Sequence, residues 1–392
     1  MRWFFRRKFD QESPHVSAAR FPFYSLCSLC YQLRVRIELL NNARRIVVKL
    51  GTGVLTNSDK QLDSKQMGQL VRQIAAQCRR GKEVVVVSSG AVGAGMGTLG
   101  FAKRPKGLPE LQACAAVGQS RLMAAYEKLF ARFKLHVAQV LLTHDDLQHH
   151  DRHLNARNTL LTLLRQGVVP IINENDTVSV TELKFGDNDR LSALVAALLP
   201  ADLLVILTTV DGVIQEFGKP NARVLPTIEQ IDGRIERMAG GTTSATAVGG
   251  MASKIQAAKI AVRSGIPVVI ASGQQEGNLG DVLDGADAGT LFLPSAEKLR
   301  GRKRWIAFFH RPRGSLLVDD GARTALCERG KSLLLPGIKR GEGDFAAGDV
   351  VRICDLDGRE FARGIVRASL VEVQSRQFSR AEIIHRDDLV IL

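Results

Sequence analysis

At 392 residues, with 45% hydrophobic and 24% charged side chains, the chain has a globular composition and enough length for two domains. A formal net charge of +14 suits anionic partners, among them nucleotides, acidic metabolites and nucleic acid, without choosing between them. Six scattered cysteines in so long a chain exclude a disulfide scaffold, and the apolar stretch Phe21–Leu33 is too short and too interrupted to span a bilayer or act as a signal peptide.

A cytoplasmic, reducing location is therefore expected. Cys27 and Cys30 form a C-x-x-C, but no second pair or histidine cluster completes a zinc site, so no metal centre is expected. Residues 1–43 carry Arg2, Arg6, Arg7 and Lys8 and show no sustained period. They read as a basic extension or a mis-set start, with the compact fold beginning near Arg45.

From Arg45 onward apolar runs and amphipathic segments alternate. Strands are expected at Ile46–Leu50, Val84–Val87, Val137–Leu142, Val168–Ile172, Leu203–Leu207 and Val268–Ala271. Helices are expected at Ser64–Arg80, Gly118–Phe133, Leu154–Gln166 (opened by Asn155), Leu191–Leu199 and Ser253–Ser264, the last closed by Gly265. Aromatics are only 5%, so Val, Leu, Ile and Ala must fill the core, as parallel sheets between helices usually require. The expected fold is a three-layer αβα sandwich around a mostly parallel open sheet, spanning residues 44–296. After Ser295 the texture changes. Lys298–Arg304 reads as a solvated basic connector, and Gly-containing turns then separate short strands, giving a small all-β domain over residues 297–392.

Several loops carry candidate chemistry. Lys49 ends the first strand and is followed by Gly51-Thr52-Gly53, where glycine allows close backbone approach to phosphate and the lysine adds a point charge. The chain contains no G-x-x-x-x-G-K-[ST], so it is not a P-loop enzyme by motif. Ser89 and Gly90 follow the second strand and feed a helix N-terminus, a plausible substrate turn or a plain βα turn. Gly95–Gly100 matches the dinucleotide pattern G-x-G-x-x-G but falls too far beyond the strand end to act as that fingerprint. Val248-Gly249-Gly250-Met251-Ala252-Ser253-Lys254 is a second glycine loop running into a helix, suited to nucleotide phosphates or simply flexible. The Gly240–Thr246 segment before it reads as a mobile loop.

The two acid-and-amide clusters say most. Asn173-Glu174-Asn175-Asp176 directly follows an apolar strand, and Gly186-Asp187-Asn188-Asp189 comes soon after. Carboxylates and carboxamides at a strand end sit at the lip of a sheet, where open α/β folds bind ligands, and they suit a zwitterionic amino acid. A single cluster of this kind is usually a turn.

Taken in order, Val48-Lys49-Leu50-Gly51, Ser89-Gly90-Ala91, Gly118-Gln119-Ser120-Arg121-Leu122, Leu154-Asn155-Ala156-Arg157, the two clusters and Gly249-Gly250-Met251 resemble the bacterial glutamate 5-kinases of the amino acid kinase superfamily. The tail, with Asp320-Gly321-Ala322, Leu335-Pro336-Gly337-Ile338 and His385-Arg386-Asp387-Asp388, resembles the PUA domain many of them carry.

The resemblance implies phosphoryl transfer from ATP, with magnesium carried by the nucleotide, to the γ-carboxylate of L-glutamate, the first step of proline biosynthesis. It also implies proline as feedback inhibitor, a homo-oligomer, and RNA as a partner that the PUA-like domain could take. Carried onto this chain, Lys49 and Lys254 would stabilise the moving phosphoryl group, and Asp189 would orient them. Ser89, Gly90, Asp176 and Asn188 would hold glutamate. Lys49, Gly51, Thr208, Thr209 and the 248–254 loop would hold ATP. Departures fall on the nucleotide side: Thr209 stands where a carboxylate is common, Ile214 where a tyrosine is, and Val248 and Ser253 where threonines are. Another acceptor, such as N-acetylglutamate, aspartate or UMP, and an RNA-binding protein with a degenerate kinase body, are the alternatives.

Overall fold

The computed structural model describes residues 23–57, 61–178, 188–240, 250–296, 298–299, 301–310, 312–376 and 382–392, with side chains from residue 32 onward. Ten strands occupy its first part: β1 (Arg45–Leu50), β2 (Glu83–Ser88), β3 (Val137–Leu142), β4 (Val169–Glu174), β5 (Leu203–Thr208), β6 (Ile214–Gln215), β7 (Arg223–Val224), β8 (Thr227–Ile228), β9 (Val268–Ser272) and β10 (Thr290–Phe292). Eight of them form one sheet in the order β3-β4-β2-β1-β5-β9-β10-β8, while β6 and β7 pair as a separate hairpin. The pairs from β3 through β9 are parallel, and only β10 runs against its neighbour β9.

The central strands β1, β2, β4, β5 and β9 are buried along nearly their whole length, as expected for a parallel sheet covered on both faces. Side chains alternate across β1, so Ile46, Val48 and Leu50 pack with the helices Ser64–Arg79 and Leu108–Ala131. Val47 faces the other layer, with the helices Asn188–Leu198 and Met251–Arg263. The same parity points Lys49 to that second layer. The chain leaves β1 toward β2 on one side and β5 toward β9 on the other, so the carboxyl ends of β1 and β5 flank a topological switch point.

Element boundaries depart from the sequence reading where the local signal is polar or weak. The helix read from Gly118 begins at Leu108, ten residues earlier, with Pro109 in its first turn. The helix read from Leu191 begins at Asn188. The helix read as opened by Asn155 begins at His150, so Asn155 lies inside it. A helix also occupies Phe23–Asn41, where no period was legible. Near its end Leu40 is fully buried, and the buried Arg36 guanidinium donates to the carbonyls of Ala286 (2.9 Å), Pro226 (3.2 Å) and Ala288. Packing onto the β10 side of the sheet thus begins before Arg45.

The C-terminal part holds β11 (Gly314–Val318), β12 (Leu333–Leu334), β13 (Ile338–Gly343), β14 (Val350–Cys354), β15 (Glu360–Ile365), β16 (Glu382–Ile384) and β17 (Leu389–Ile391). Five make a sheet in the order β13-β11-β14-β15-β17, and β12 pairs with β16. Two short helices, Asp320–Cys327 and Leu370–Ser375, accompany the strands, a feature that the all-β reading did not contain. The basic connector is likewise more than a solvated linker. Gly301–Phe308 is a helix whose Ile306, Ala307 and Phe308, with Phe309, join the core of the first domain together with Val350 and Val390. Its Arg302, Lys303 and Arg304 fill the first turn, where Arg302 and Lys303 are exposed, and its buried apolar residues fill the second, a split along the helix that a charge count alone hides.

Candidate active site

The candidate residues converge at the carboxyl edge of the large sheet. Lys49 ends β1, Ser89 follows β2, Asn173 lies near the end of β4 and Thr208 ends β5. The helix Asn188–Leu198 places Asp189 in its first turn, and the helix Met251–Arg263 carries Lys254 one turn from its start.

Three charged side chains meet there with almost no solvent access. Lys49 Nζ lies 2.5 Å from Asp189 Oδ1 and Lys254 Nζ lies 3.1 Å from Asp189 Oδ2. Asp189 is 1% exposed, Lys254 4% and Lys49 5%. Ser253 Oγ donates to Asp189 Oδ2 at 2.6 Å, and lies 2.8 Å from the Gly250 carbonyl. Burial alone would raise the Asp189 pKa, but Lys49 and Lys254 outweigh it and hold the carboxyl below its ordinary range. The triad keeps a net charge of +1 in a dry setting, which favours an anion placed against it. Gly250 caps the Met251 helix without a side-chain hydrogen bond, so its first N–H groups also point toward anions. Thr208 ends β5 and Thr209 follows it. A Cβ on Gly53 would stand 2.9 Å from the Thr209 methyl, so the turn after β1 and the turn after β5 touch.

A second network adjoins the triad. The Asn188 amide nitrogen lies 2.7 Å from the Ser88 carbonyl, 3.0 Å from Ser89 Oγ and 2.9 Å from Asn173 Oδ1, so its two hydrogens are divided among three acceptors. Asn173 in turn donates to Gln119 Oε1 at 2.9 Å, and the Ser88 and Tyr126 hydroxyls are 2.8 Å apart. Asn188 Oδ1 is buried and has no hydrogen-bond partner among the described residues. A buried orphan acceptor is costly unless a ligand donor meets it.

Asn188 lines a small cleft with Thr52, Ser89, Gly90, Asp176 and Arg104. Gly90 has φ +101°, a left-handed conformation that lets the chain turn sharply from β2 into the helix Ala91–Thr98. Burial pushes the Asp176 carboxyl up to about 7, with Glu174 adding to the rise and Arg104 offsetting part of it. The roomier cleft of about 680 Å³ lies in the C-terminal domain near Leu326, Leu333, Pro336 and His385, and contains none of these residues.

The structure therefore brings together Lys49, Asp189, Ser253 and Lys254 as one cluster, and Ser89, Gly90, Asp176 and Asn188 as a second. Gly51 sits at the foot of the first, its N–H donating to the Leu207 carbonyl at 3.2 Å. Met251 and Ala252 form the first turn of the Lys254 helix. Val248, Gly249 and the Gly240–Thr246 loop after its first residue lie outside the described residues, as do Gly186 and Asp187. The sequence reading took Asn173 only as part of the first polar cluster and Gln119 only as part of a family motif, and passed over Tyr126; each is a polar group inside a buried segment, the one signal that could have singled it out. The Gly95–Gly100 match lies in and just after the helix Ala91–Thr98, away from any strand end, as its spacing indicated.

Residues 44–272 match the amino acid kinase family and residues 314–386 the PUA domain. The glutamate 5-kinase of Geobacter sulfurreducens is 49% identical over 373 residues, covering 91% of this chain and 100% of the relative. That of Moorella thermoacetica is 48% identical over 368 residues, covering 90% and 97%. A carbamate kinase from Giardia lamblia bound to AMP-PNP is 20% identical, covers 65% of this chain and 100% of its own, and has a TM-score of 0.48. With the family match spanning more than half the chain and these identities extending over nine-tenths of it, the chain belongs to the amino acid kinase family, among the glutamate 5-kinases.

Proposed function

We propose that this chain transfers the γ-phosphoryl group of ATP to the γ-carboxylate of L-glutamate, giving L-glutamyl 5-phosphate, the first step of proline biosynthesis. The observation that carries this reading is the buried Lys49–Asp189–Lys254 triad, joined through adjacent Asn188 to a cleft holding Asp176. Its experiment incubates the protein with ATP, magnesium and hydroxylamine and measures hydroxamate from L-glutamate, N-acetylglutamate and aspartate. Glutamate hydroxamate well above the other two is the expected result; its absence overturns the reading.

Each residue takes a role that its surroundings suit. The acceptor carboxylate is ionised at neutral pH, so no general base is needed, and catalysis rests on positioning and electrostatics. Lys49 and Lys254 face the transferring phosphoryl group, while Asp189, kept ionised, holds both ammonium groups in place with help from Ser253. The N–H groups after Gly250 and the turn at Gly51 approach the nucleotide phosphates, which arrive as the magnesium complex. Asp176 and the orphan Asn188 Oδ1 accept from the substrate ammonium.

The pKa of Asp176 sets a pH dependence. Below about pH 7 its protonation removes the ammonium's partner, so the KM for glutamate is expected to rise about tenfold per unit as pH falls. Asp176→Asn should give a high KM that no longer responds to pH. Because its folded-state pKa is raised, the contribution of Asp176 to the stability of the unliganded protein is expected to fall as pH rises from about 4 through 7, a trend measurable by thermal unfolding of the unaltered protein against Asp176→Asn.

The same proposal includes a division into residues 1–43, 44–296 and 297–392; the separate sheets support the two larger parts, while the packing of Arg36 and Leu40 and of the helix Gly301–Phe308 onto the first part blurs both boundaries. It also includes proline as feedback inhibitor, a homo-oligomeric assembly and RNA as a partner of the PUA domain. A cytoplasmic location fits the free thiols of Cys78, Cys114, Cys327 and Cys354. No helix of the described residues is long and apolar enough to cross a membrane.

A further inference from the structure

Resting on the glutamate reading, we infer that Arg104 binds the α-carboxylate of the acceptor and is the residue by which this site selects an α-amino acid. Glutamate carries three charged groups, and each needs a partner when it leaves water. The γ-carboxylate must face Lys49 and Lys254, because it attacks the phosphoryl group. The ammonium has Asp176 and Asn188 Oδ1. The α-carboxylate remains, and it is bonded to the carbon that carries the ammonium, so its partner must stand beside that of the ammonium.

Arg104 meets that condition. Among the described residues lining the cleft it is the one cation, and it shares the cleft with Asp176 and Asn188. Its field already reaches Asp176, lowering the carboxyl against the effects of burial and Glu174. Arg104 is exposed and lines the cleft from the segment between the helices Ala91–Thr98 and Leu108–Ala131. A planar fork at a cleft mouth can grip a carboxylate with two parallel N–H bonds while the rest of the substrate enters. The N–H groups at the start of the helix Ala91–Thr98 lie on the same side and can share that carboxylate, but they add no full charge. Arg104 thus gives the cleft an order of charges, anion then cation, matching the substrate's ammonium and α-carboxylate.

The test compares L-glutamate with 4-aminobutanoate, which keeps the ammonium and the reacting carboxylate but lacks the α-carboxylate. For Arg104→Ala, kcat/KM for glutamate should fall about 10- to 100-fold, mostly through KM, as expected for one charge-assisted pair. The value for 4-aminobutanoate should stay within about twofold of that of the unaltered enzyme, because that acceptor never used the pair. Arg104→Lys should restore part of the glutamate KM by keeping the charge without the fork. Equal losses for both acceptors would show a structural role, and an unchanged glutamate KM would leave the carboxylate to the backbone; either overturns the inference. If 4-aminobutanoate reacts too slowly to follow, the division between KM and kcat for glutamate and the lysine rescue decide it. Failure of the glutamate reading itself is separate, since the unaltered protein would then form no glutamate hydroxamate.

Discussion

Lys254→Ala is expected to lower kcat for glutamate about 10²- to 10³-fold, the usual cost of removing one preorganised stabiliser of transition-state charge. Lys254 is buried, 3.1 Å from Asp189 Oδ2, and belongs to a cluster whose net charge falls from +1 to 0 when it is lost. The remaining Lys49–Asp189 pair would then be internally neutralised, and the phosphoryl group would meet no excess positive charge. The KM for glutamate should rise far less than kcat falls, because Lys49 still faces the γ-carboxylate and the other two charged groups are held on the Asn188 side. Asp189→Asn should behave differently. It leaves two buried ammonium groups without their shared anion, so a stability loss of about 3–5 kcal/mol accompanies the loss of activity. Hydroxamate formation together with thermal unfolding separates the two. An alanine variant at Lys254 with undiminished kcat would remove this lysine from the mechanism.

The second large effect is expected from Gly118→Ala. A Cβ there would stand 1.7 Å from the Ala91 carbonyl oxygen and 2.5 Å from the Gly95 nitrogen. Gly95 is in the reciprocal position, where a Cβ would stand 1.9 Å from the Cys114 carbonyl. The helices Ala91–Thr98 and Leu108–Ala131 therefore touch backbone to backbone. Neither can rotate aside as a side chain would, so the cost should exceed ordinary overpacking and reach about 4 kcal/mol. For a domain of this size that lowers the unfolding midpoint by about 10 °C. The same displacement would move Ser89 and Gly90, raising the KM for glutamate in whatever fraction stays folded. A variant with an unchanged midpoint would show that the helices can separate without cost.

Legibility followed the strength of the local signal. The β-branched runs at Ile46–Leu50 and Val84–Val87 could hardly be anything but strands, because only a sheet covered on both faces buries them continuously. The helix Asn188–Leu198 was read three residues short, since its first turn is polar and carries no hydrophobic period. Those three residues include Asn188 and Asp189, the two that matter most. Glu174, Asp176 and Asp189 looked alike as acids in sequence; burial and neighbours separate them. Asp189, between two lysines, is held ionised, whereas Asp176, buried beside Glu174, titrates near 7. The helix Gly301–Phe308 was hidden by its charge, because the basic first turn, Arg302–Arg304, leaves only a short apolar second turn, Ile306–Phe308, with no helical period to read.

By itself the sequence determined the alternation of strands and helices, the change of texture after Ser295, and the polar clusters at strand ends, all of which depend on residues close in the chain. Tertiary structure alone decided which of those clusters share a site. Lys49, Asp189 and Lys254 come from three separate elements, and the parity of β1 turns Lys49 toward the layer that holds the other two. Arg104 lines the cleft of Asp176 from the segment between two helices that meet at Gly95 and Gly118, and no periodicity along the chain records a contact between backbones.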